Sequence, residues 1–199
     1  MQLEDTYFTD HKKKAMEKFK EAVQEKKVDS SIHSLLQLIN SMEHYFTTSS
    51  CAGRIVLLQL PELGDKKHAI FLGRWHRLIT IDDVYTALTS YNEGQVWLFT
   101  QPPIFHIGCK HISAANDILN LGVSNGFKHS GIRSVSDQII VELRSTERMD
   151  MPLGHQGELL ISKKTMHFLV DIANKTFHRS QKKLSRLIKG IKKIDTTSF

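Results

Sequence analysis

Residues 49–61 read Ser-Ser-Cys-Ala-Gly-Arg-Ile-Val-Leu-Leu-Gln-Leu-Pro. The first six are small or polar, and they predict a compact turn whose backbone N–H groups a ligand can approach closely. Ile55 to Leu60 is a short apolar run that Pro61 ends, which predicts a buried strand. Arg54, at the junction, can pair with a carboxylate or a phosphate, although a tight turn with an exposed arginine fits the same residues.

The segments on either side of this strand show helical or extended patterns. Helices are predicted from His11 to Glu25, around Ile32 to Ile39, and over 81–91, 112–126 and 163–191. Strands are predicted at 45–48, 69–75, 96–99, 104–109, 139–144, 149–153 and 159–161. The expected helix caps are Asp29 or Ser30, Thr80 in a capping box with Asp83, and Ser113.

The element order predicts an α+β or mixed α/β fold, in a single domain whose central mixed sheet is flanked by helices. There is no GxGxxG after a strand, no Walker loop and no GxSxG elbow, so a Rossmann fold is not expected. Helix 81–91 and helix 112–126, each followed by strands, resemble a loose internal repeat. We expect an N-terminal amphipathic helix over 1–28, a catalytic core over 29–163, and a basic C-terminal helix with a short tail over 164–199.

The composition is typical of a globular protein in a reducing compartment. Cys51 and Cys109 are the two cysteines among 199 residues, which argues against a disulfide framework. The start of the chain lacks the layout of a secretion signal, and no apolar run approaches the roughly 20 residues of a transmembrane helix. We therefore expect a cytoplasmic protein that does not enter a membrane. The sequence leaves the oligomeric state open.

The distribution of charge favours a polyanionic partner. The net charge is +6 with neutral histidines, and cationic side chains that meet phosphates release counterions. Between Arg179 and Lys193 there are seven Lys or Arg residues and no acid. Apolar residues recur in the same stretch at helical spacing, which predicts a helix with an apolar stripe and a basic back. Such a helix fits RNA binding, and it equally fits a solvated surface helix.

The cysteine and histidine residues are candidates for a catalytic nucleophile and for a metal site. Cys51 is a candidate nucleophile, but no base lies near it in the sequence, and a small buried cysteine is the favoured interpretation. His106 lies in an apolar strand, where a hydrogen-bonded core histidine and a polar group facing a cleft both fit. Alternation along that strand puts His106 and Cys109 on opposite faces, so we expect no metal site with His111.

The strand at 139–144 carries one polar face. Alternation puts Glu142 and Arg144 on one side and Val141 and Leu143 on the other. A polar face on a central strand must be solvated, paired or lining a pocket. Glu142 and Arg144 can neutralise each other. Physical reasoning alone therefore stops at a basic domain with an anion-binding turn.

Five sequence blocks resemble the signature blocks of the tRNA wybutosine-synthesising protein 3 family. In order they are Phe46 to Arg54, Pro103 to His106, Gly126 to Ile132, Arg144 to Thr146, and Pro152-Leu153 with His155-x-Gly157. They follow the family's order between about Ile32 and Ala173, which is most of the chain. Arg74 stands where many members have Lys, which keeps the charge. We place no family block in the helix before Val28 or in the tail after Asp195, and their roles stay open.

The resemblance implies a fold unlike the usual methyltransferase sheet, and methyl transfer from the cofactor S-adenosylmethionine. The implied acceptor is N-4 of the 4-demethylwyosine intermediate beside the anticodon of tRNA(Phe), in wybutosine biosynthesis. The partner is then the anticodon stem-loop of that tRNA. The substrate base carries an aminocarboxypropyl arm at this stage, and an arginine clamp suits its carboxylate.

The resemblance and the residue chemistry together give candidate site residues. We expect catalytic roles for Ser49, Arg54 and His106, and no metal. Cofactor or substrate contacts are expected from Ser50, Gly53, Trp75, Ser130, Gly131, Arg144 and His155, and tRNA contacts from Arg179, Lys182, Lys183, Arg186 and Lys189. Two rivals remain: a non-catalytic RNA-binding module, for which the basic helix suffices, and a cysteine-dependent hydrolase that uses Cys51 with His106.

Overall fold

Every strand in the described part of the chain belongs to one of two antiparallel sheets. The computed structural model describes residues 2–65 and 67–197. The helices are α1 (Gln2–Gln24), α2 (His33–Ser41), α3 (Ile81–Leu88), α4 (Ile112–Ser124) and α5 (Lys163–Thr197). The strands are β1 (Tyr45–Cys51), β2 (Arg54–Leu60), β3 (Ile70–Trp75), β4 (Gln95–Gln101), β5 (Ile104–Cys109), β6 (Gly131–Ser134), β7 (Ile139–Arg144), β8 (Met149–His155) and β9 (Glu158–Leu159).

The chain divides into two compact units that alternate along the sequence. The first unit comprises Met1–Ala52, Pro103–Thr146 and Lys182–Phe199, and the second comprises Gly53–Pro102 and Glu147–Gln181. Each unit contains one of the sheets and one of the two hydrophobic cores. None of the helices within 2–65 and 67–197 combines the length and the apolar character that a membrane span requires.

The first unit is a four-stranded sheet in the order β1-β5-β7-β6. Alternate residues of the central strands, such as Phe105 and Leu143, form its core with α2, α4 and the end of α5. Because side chains alternate along a strand, His106 belongs to the opposite face. At one end that face is covered by α1, whose Phe8 ring lies 5.4 Å from the ring of Phe46.

The second unit is a five-stranded sheet in the order β3-β2-β4-β8-β9. Ile55 and Leu57 of β2 are fully buried, as the apolar run predicts. They pack in one core with Val84 of α3 and with Ala173 of α5. The sheet therefore has β2 and β4 at its centre, and β2 carries Arg54 at its first position.

The α+β class and most of the predicted elements are confirmed. The helical apolar set of α2 is buried, and the predicted strands at 55–60 and 69–75 form the neighbouring strands β2 and β3. Thr80 and Asp83 form the predicted capping box at the start of α3. Leu184, Leu187 and Ile191 of α5 are buried, which confirms a helix with one apolar stripe.

The prediction of one central mixed sheet is wrong, because the strand pairs of both sheets are antiparallel. A parallel pair needs a crossover of a dozen or more residues, whereas several consecutive strands here are joined by short turns. Strand β6 was not predicted, since four residues are too few to show a periodicity. The strand predicted at 159–161 is only Glu158–Leu159.

Several predicted helix ends are also wrong. No side chain caps α2, and the carboxylate of Asp29 instead accepts the backbone N–H of Ala52 at 2.8 Å. The side chain of His111 replaces that of Ser113 as the cap of α4. Helix α3 ends at Leu88 rather than at 91. At the starts of α2 and α4 a tertiary contact or a neighbouring side chain replaces the predicted cap, which local propensity does not reveal.

Gly108→Ala is expected to destabilise the protein by about 1–3 kcal/mol, because overpacking a core forces side chains and backbone to shift. A Cβ at Gly108 would lie 2.2 Å from Cζ of the buried Phe46 ring. The measurement is thermal or denaturant unfolding. Gly131→Ala is the matched control, since a Cβ at Gly131 meets nothing within 4 Å. Equal unfolding midpoints for the two variants would contradict the packing described for Gly108.

Candidate active site

The predicted turn at 49–54 is mostly strand. β1 continues to Cys51 and β2 begins at Arg54, so only Ala52 and Gly53 connect the two. Gly53 has φ +86°, a conformation that glycine adopts without strain. The six-residue turn predicted from the sequence is therefore wrong, and its serines act from a strand.

A β-bulge in β1 brings Ser49 to His106. Thr48 and Ser49 together oppose His106 of β5, two residues against one. Oδ1 of Asn40 accepts hydrogen bonds from the backbone N–H of Thr47 at 2.7 Å and from its hydroxyl at 3.1 Å, which satisfies the donor next to the bulge. The hydroxyl of Ser49 lies 2.8 Å from Nδ1 of His106.

Both ring nitrogens of His106 have a partner. Nε2 lies 3.1 Å from Oε2 of Glu142 on the neighbouring strand β7, where the backbones of the two residues are paired. Glu142 is a carboxylate, because the hydrogen bond from Arg133 lowers its pKa below the usual value, and His106 and Arg144 act in the same direction. In a neutral ring, Nε2–H therefore donates to Glu142 and Nδ1 accepts the hydroxyl proton of Ser49.

Two arginines converge on the other oxygen of Glu142. Nη2 of Arg133 is 2.5 Å and Nε of Arg144 is 3.6 Å from Oε1. A second bulge aims Arg133 there, since Ile132 and Ser134 pair with consecutive residues of β7 and Arg133 is the extra residue between them. The two bulges thus place Ser49 and Arg133 around one histidine–glutamate pair.

A cavity of about 380 Å³ adjoins these arginines. It is lined by His129, Ser130, Gly131, Ile132, Arg133 and Arg144, and none of these lining residues is acidic. Glu142 supplies one negative charge to two guanidinium groups. The described surroundings of the cavity are therefore cationic, which suits an anionic ligand.

The small residues predicted to bind a ligand differ in their hydrogen bonds and in the space around them. Oγ of Ser50 is shielded from solvent and has no hydrogen-bond partner among the described residues. Ser130 donates to the carbonyl of Phe127 at 2.5 Å and accepts the N–H of Arg144 at 3.0 Å, so its hydroxyl ties the loop to β7. Gly131 leaves open space where a side chain would stand. Ser50 pairs with Phe105, so its unsatisfied hydroxyl lies on the face of the sheet opposite to His106.

The second unit contains its own arginine cluster around Arg54. Nε of Arg54 donates to Oε1 of Gln101, opposite it on β4, at 2.6 Å. The guanidinium groups of Arg54 and Arg74 lie 5.6 and 4.0 Å from the centre of the exposed Phe71 ring. Gln101 and Phe71 thus hold Arg54 in a defined orientation, with guanidinium donors left for an anion.

Two other predicted residues of the second unit lie at different ends of its sheet. Trp75 pairs with Ile55, next to Arg54, and its ring lies across Gly73. His155 pairs with Gln95 at the far end of β4, about 20 Å from the Arg54 end by strand rise. Trp75 packs against the second core with Ile55, so its side chain lies on the face of the sheet opposite to Arg54, and His155 lies apart from both.

Cys109 and His111 have structural surroundings. Cys109 belongs to the first unit's core, and burial raises the pKa of its thiol to about 12. Nδ1 of His111 accepts the N–H of Ala114 at 3.1 Å. A second cavity, of about 530 Å³, is lined by residues that include Tyr7, His11 and Cys109, and it contains none of the predicted site residues.

The predicted tRNA-binding residues share α5 but differ in exposure. Lys182, Arg186 and Lys189 are exposed on the helix. Nζ of Lys183 donates to the hydroxyl of Thr146 at 2.6 Å, and the stem of Lys183 packs over Gly126. Arg179, in the second unit, lies 3.8 Å from the buried Glu147. Lys182, Arg186 and Lys189 are therefore the members best placed to meet phosphates.

Sequence reasoning missed Arg133 and the bridging role of Glu142. The alternation of β7 marks Glu142 as a polar residue between buried Val141 and Leu143, which is a usable signal. Nothing in the sequence marks Arg133, because a bulge sets its orientation and register shifts leave no local pattern.

Comparison with known proteins identifies the family. The family model for methyltransferase TYW3 matches residues 10–193. A tRNA(Phe) 7-((3-amino-3-carboxypropyl)-4-demethylwyosine(37)-N(4))-methyltransferase from Thermococcus sibiricus is 45% identical over 98% of this chain and 99% of its own length. The Thermococcus kodakarensis protein that carries the same enzyme name with the numeral 1 is 43% identical over 94% of this chain and 95% of its own length.

A solved structure agrees with the sequence relatives. The structure of the PH1069 protein from Pyrococcus horikoshii superimposes with a TM-score of 0.91 at 42% identity, and covers 94% of this chain and 97% of that one. The predicted family is therefore confirmed along nearly the whole chain. This chain belongs to the TYW3 methyltransferase family.

Proposed function

We propose that this chain is a cytoplasmic, S-adenosylmethionine-dependent tRNA methyltransferase. It methylates N-4 of the 4-demethylwyosine intermediate beside the anticodon of tRNA(Phe), a step of wybutosine biosynthesis. The observation that carries the proposal is the 45% identity with a relative of that name over 98% of this chain. The Ser49–His106–Glu142 chain of hydrogen bonds adds chemical support, because it suits removal of a proton from a nitrogen.

The reacting nitrogen gains a methyl group and loses its proton. S-adenosylmethionine supplies an electrophilic methyl group with a good leaving group. Ser49 passes its hydroxyl proton to Nδ1 of His106 as it accepts the proton of the nitrogen, and Glu142 stabilises the imidazolium that forms. The enzyme's other task is to orient the acceptor nitrogen and to exclude water.

Each unit by itself offers a polar group that suits a ligand with a carboxylate or hydroxyl groups. The buried hydroxyl of Ser50 needs a partner, and Arg54 retains donors that suit a carboxylate or a phosphate. The KM for S-adenosylmethionine and the KM for tRNA, measured in single variants, distinguish the groups that hold the cofactor from those that hold the substrate.

The basic side of α5 provides affinity for tRNA. Lys182, Arg186 and Lys189 are exposed, and phosphate contacts from such residues position an RNA without reading its bases. Replacing them should weaken tRNA binding and lessen its dependence on salt. The anticodon stem, whose phosphates lie beside the modified base, is the expected contact.

Titration calorimetry with S-adenosylmethionine, with and without tRNA, tests the proposed cofactor. Saturable binding in either state supports the methyltransferase. Binding of tRNA without any binding of S-adenosylmethionine would instead favour a non-catalytic RNA-binding module, for which the basic helix suffices.

Cys51→Ala is expected to retain methyl transfer within about threefold of the unchanged protein. Both nitrogens of His106 are engaged, by Ser49 and Glu142, so the base of a cysteine hydrolase is committed elsewhere. The measurement is the methylation rate of the variant under saturating cofactor. Complete loss of activity in a folded Cys51→Ala protein would restore the cysteine-dependent interpretation.

A further inference from the structure

The arginine pair beside Glu142 has unused binding capacity. Arg133 is 54% exposed and Arg144 is 38% exposed, whereas the Glu142 side chain is 7% exposed. Both guanidinium groups approach Oε1 of Glu142, while Oε2 is engaged by His106. Each guanidinium carries five N–H donors, so most of them remain for another acceptor.

One of the unused donors is already desolvated. Nε of Arg144 is shielded from solvent and has no hydrogen bond among the described residues, since its 3.6 Å approach to Glu142 is an ion pair only. Leaving a buried cationic donor unsatisfied is costly. A ligand carboxylate bound to the arginines would recover that cost.

The adjoining cavity has room for a short flexible group. Its volume is about 380 Å³, and Gly131 forms part of its wall with no side chain. Glu142 connects the cavity to His106, because its carboxylate lies 2.5 Å from Arg133, which lines the cavity, and 3.1 Å from His106. We therefore expect a ligand with its reacting nitrogen beside Ser49 and His106 to place a substituent of the same ring system in the cavity.

We propose that Arg133 and Arg144 bind the carboxylate of the 3-amino-3-carboxypropyl arm of the substrate base, and that this contact selects arm-bearing tRNA. The inference rests on the proposed function. The arm is part of the substrate named for the relatives, and its carboxylate matches the planar, bidentate geometry of a guanidinium. Arg133 is thus a specificity-determining residue, although it does not touch the reacting nitrogen.

The carboxylate of S-adenosylmethionine and a tRNA phosphate are two other anions that suit Arg133 and Arg144. Three kinetic results distinguish these anions from the carboxylate of the arm. Loss of the arm contact lowers kcat/KM only for arm-bearing tRNA. Loss of a cofactor contact raises the KM for S-adenosylmethionine, and loss of a phosphate contact lowers kcat/KM equally for tRNAs with and without the arm.

The experiment measures kcat/KM for two tRNA(Phe) substrates, one with the arm and one with unsubstituted 4-demethylwyosine. The unchanged protein should prefer the arm-bearing tRNA by about 10- to 100-fold, the range of a charge-assisted hydrogen bond. Arg133→Gln should reduce that preference to a few-fold, with the KM for S-adenosylmethionine unchanged. Arg144→Gln should also reduce the preference for arm-bearing tRNA. The two variants together keep the test decisive if one of them fails to fold.

Arg77→Gln is the matched control, because Arg77 is an exposed arginine paired with one carboxylate, Asp83, in the second unit. It should leave the preference for the arm unchanged. Equal kcat/KM of the unchanged protein for both tRNAs would overturn the inference while leaving the methyltransferase intact. An unchanged preference in folded Arg133→Gln and Arg144→Gln would also overturn it. Methylation of neither tRNA would overturn the proposed function, and the inference with it.

Discussion

Arg54→Ala should lower kcat/KM for methyl transfer by about 10²–10³-fold, a loss typical of removing one preorganised donor from a charged ligand. Arg54 begins β2, its Nε is fixed by Gln101 at 2.6 Å, and its guanidinium lies near Phe71. This cation is therefore oriented before any ligand arrives. Alanine removes both the charge and the orientation, and leaves a ligand anion unpaired.

The Arg54→Ala protein should remain folded. Ile55 and Leu57, which hold β2 in the second core, are unchanged, and loss of the single Gln101 hydrogen bond costs about 1 kcal/mol. Circular dichroism and thermal unfolding check the fold, and Arg77→Ala is the control for loss of an exposed arginine. Turnover of Arg54→Ala equal to that of the unchanged protein would remove Arg54 from the site.

His106→Ala should lower kcat by about 10²–10⁴-fold, the usual contribution of a general base, with little change in the KM for cofactor. In the proposed mechanism His106 accepts the proton that Ser49 releases, and the Ser49 hydroxyl lies 2.8 Å from Nδ1 of His106. Single-turnover methylation at saturating tRNA isolates this step. A lowered kcat with an unchanged KM distinguishes proton acceptance from substrate binding.

Glu142→Gln is the informative companion to His106→Ala. The amide keeps the shape of the side chain but loses the charge that stabilises an imidazolium, so its kcat should lie between those of the unchanged protein and His106→Ala. Glu142 is a positioning residue because it acts through His106. If His106→Ala kept full kcat, proton removal by water would suffice and the relay would have no role.

The structure clarifies why some elements were predictable. The apolar stripe of α2 and the apolar run of β2 are local signals that agree with burial in the folded protein. The Thr80–Asp83 box is a local signal as well, since its hydrogen bonds form within four residues. Asp29 shows the opposite case. It is a good cap by composition, but it binds the N–H of Ala52, a contact that only the tertiary fold creates.

The candidate active site was predictable only in part. Ser49, His106 and Arg144 could be selected from the sequence and the family resemblance, and the first unit brings all three around Glu142. The geometry itself depends on two bulges, at Ser49 and at Arg133, and a one-residue shift of register is invisible in the sequence. The predicted division at 28 and 163, and the predicted internal repeat, stay predictions.

The most direct test of the account is the reaction itself. The purified protein is incubated with S-adenosylmethionine carrying a labelled methyl group and with tRNA(Phe) from cells that lack this methylation. The tRNA is then digested to nucleosides for mass spectrometry. We expect one labelled methyl group on N-4 of the arm-bearing base at position 37, formed at least about 100-fold more slowly when His106→Ala replaces the unchanged protein. Transfer to another base, or no transfer by a folded protein that binds both tRNA and cofactor, would contradict it.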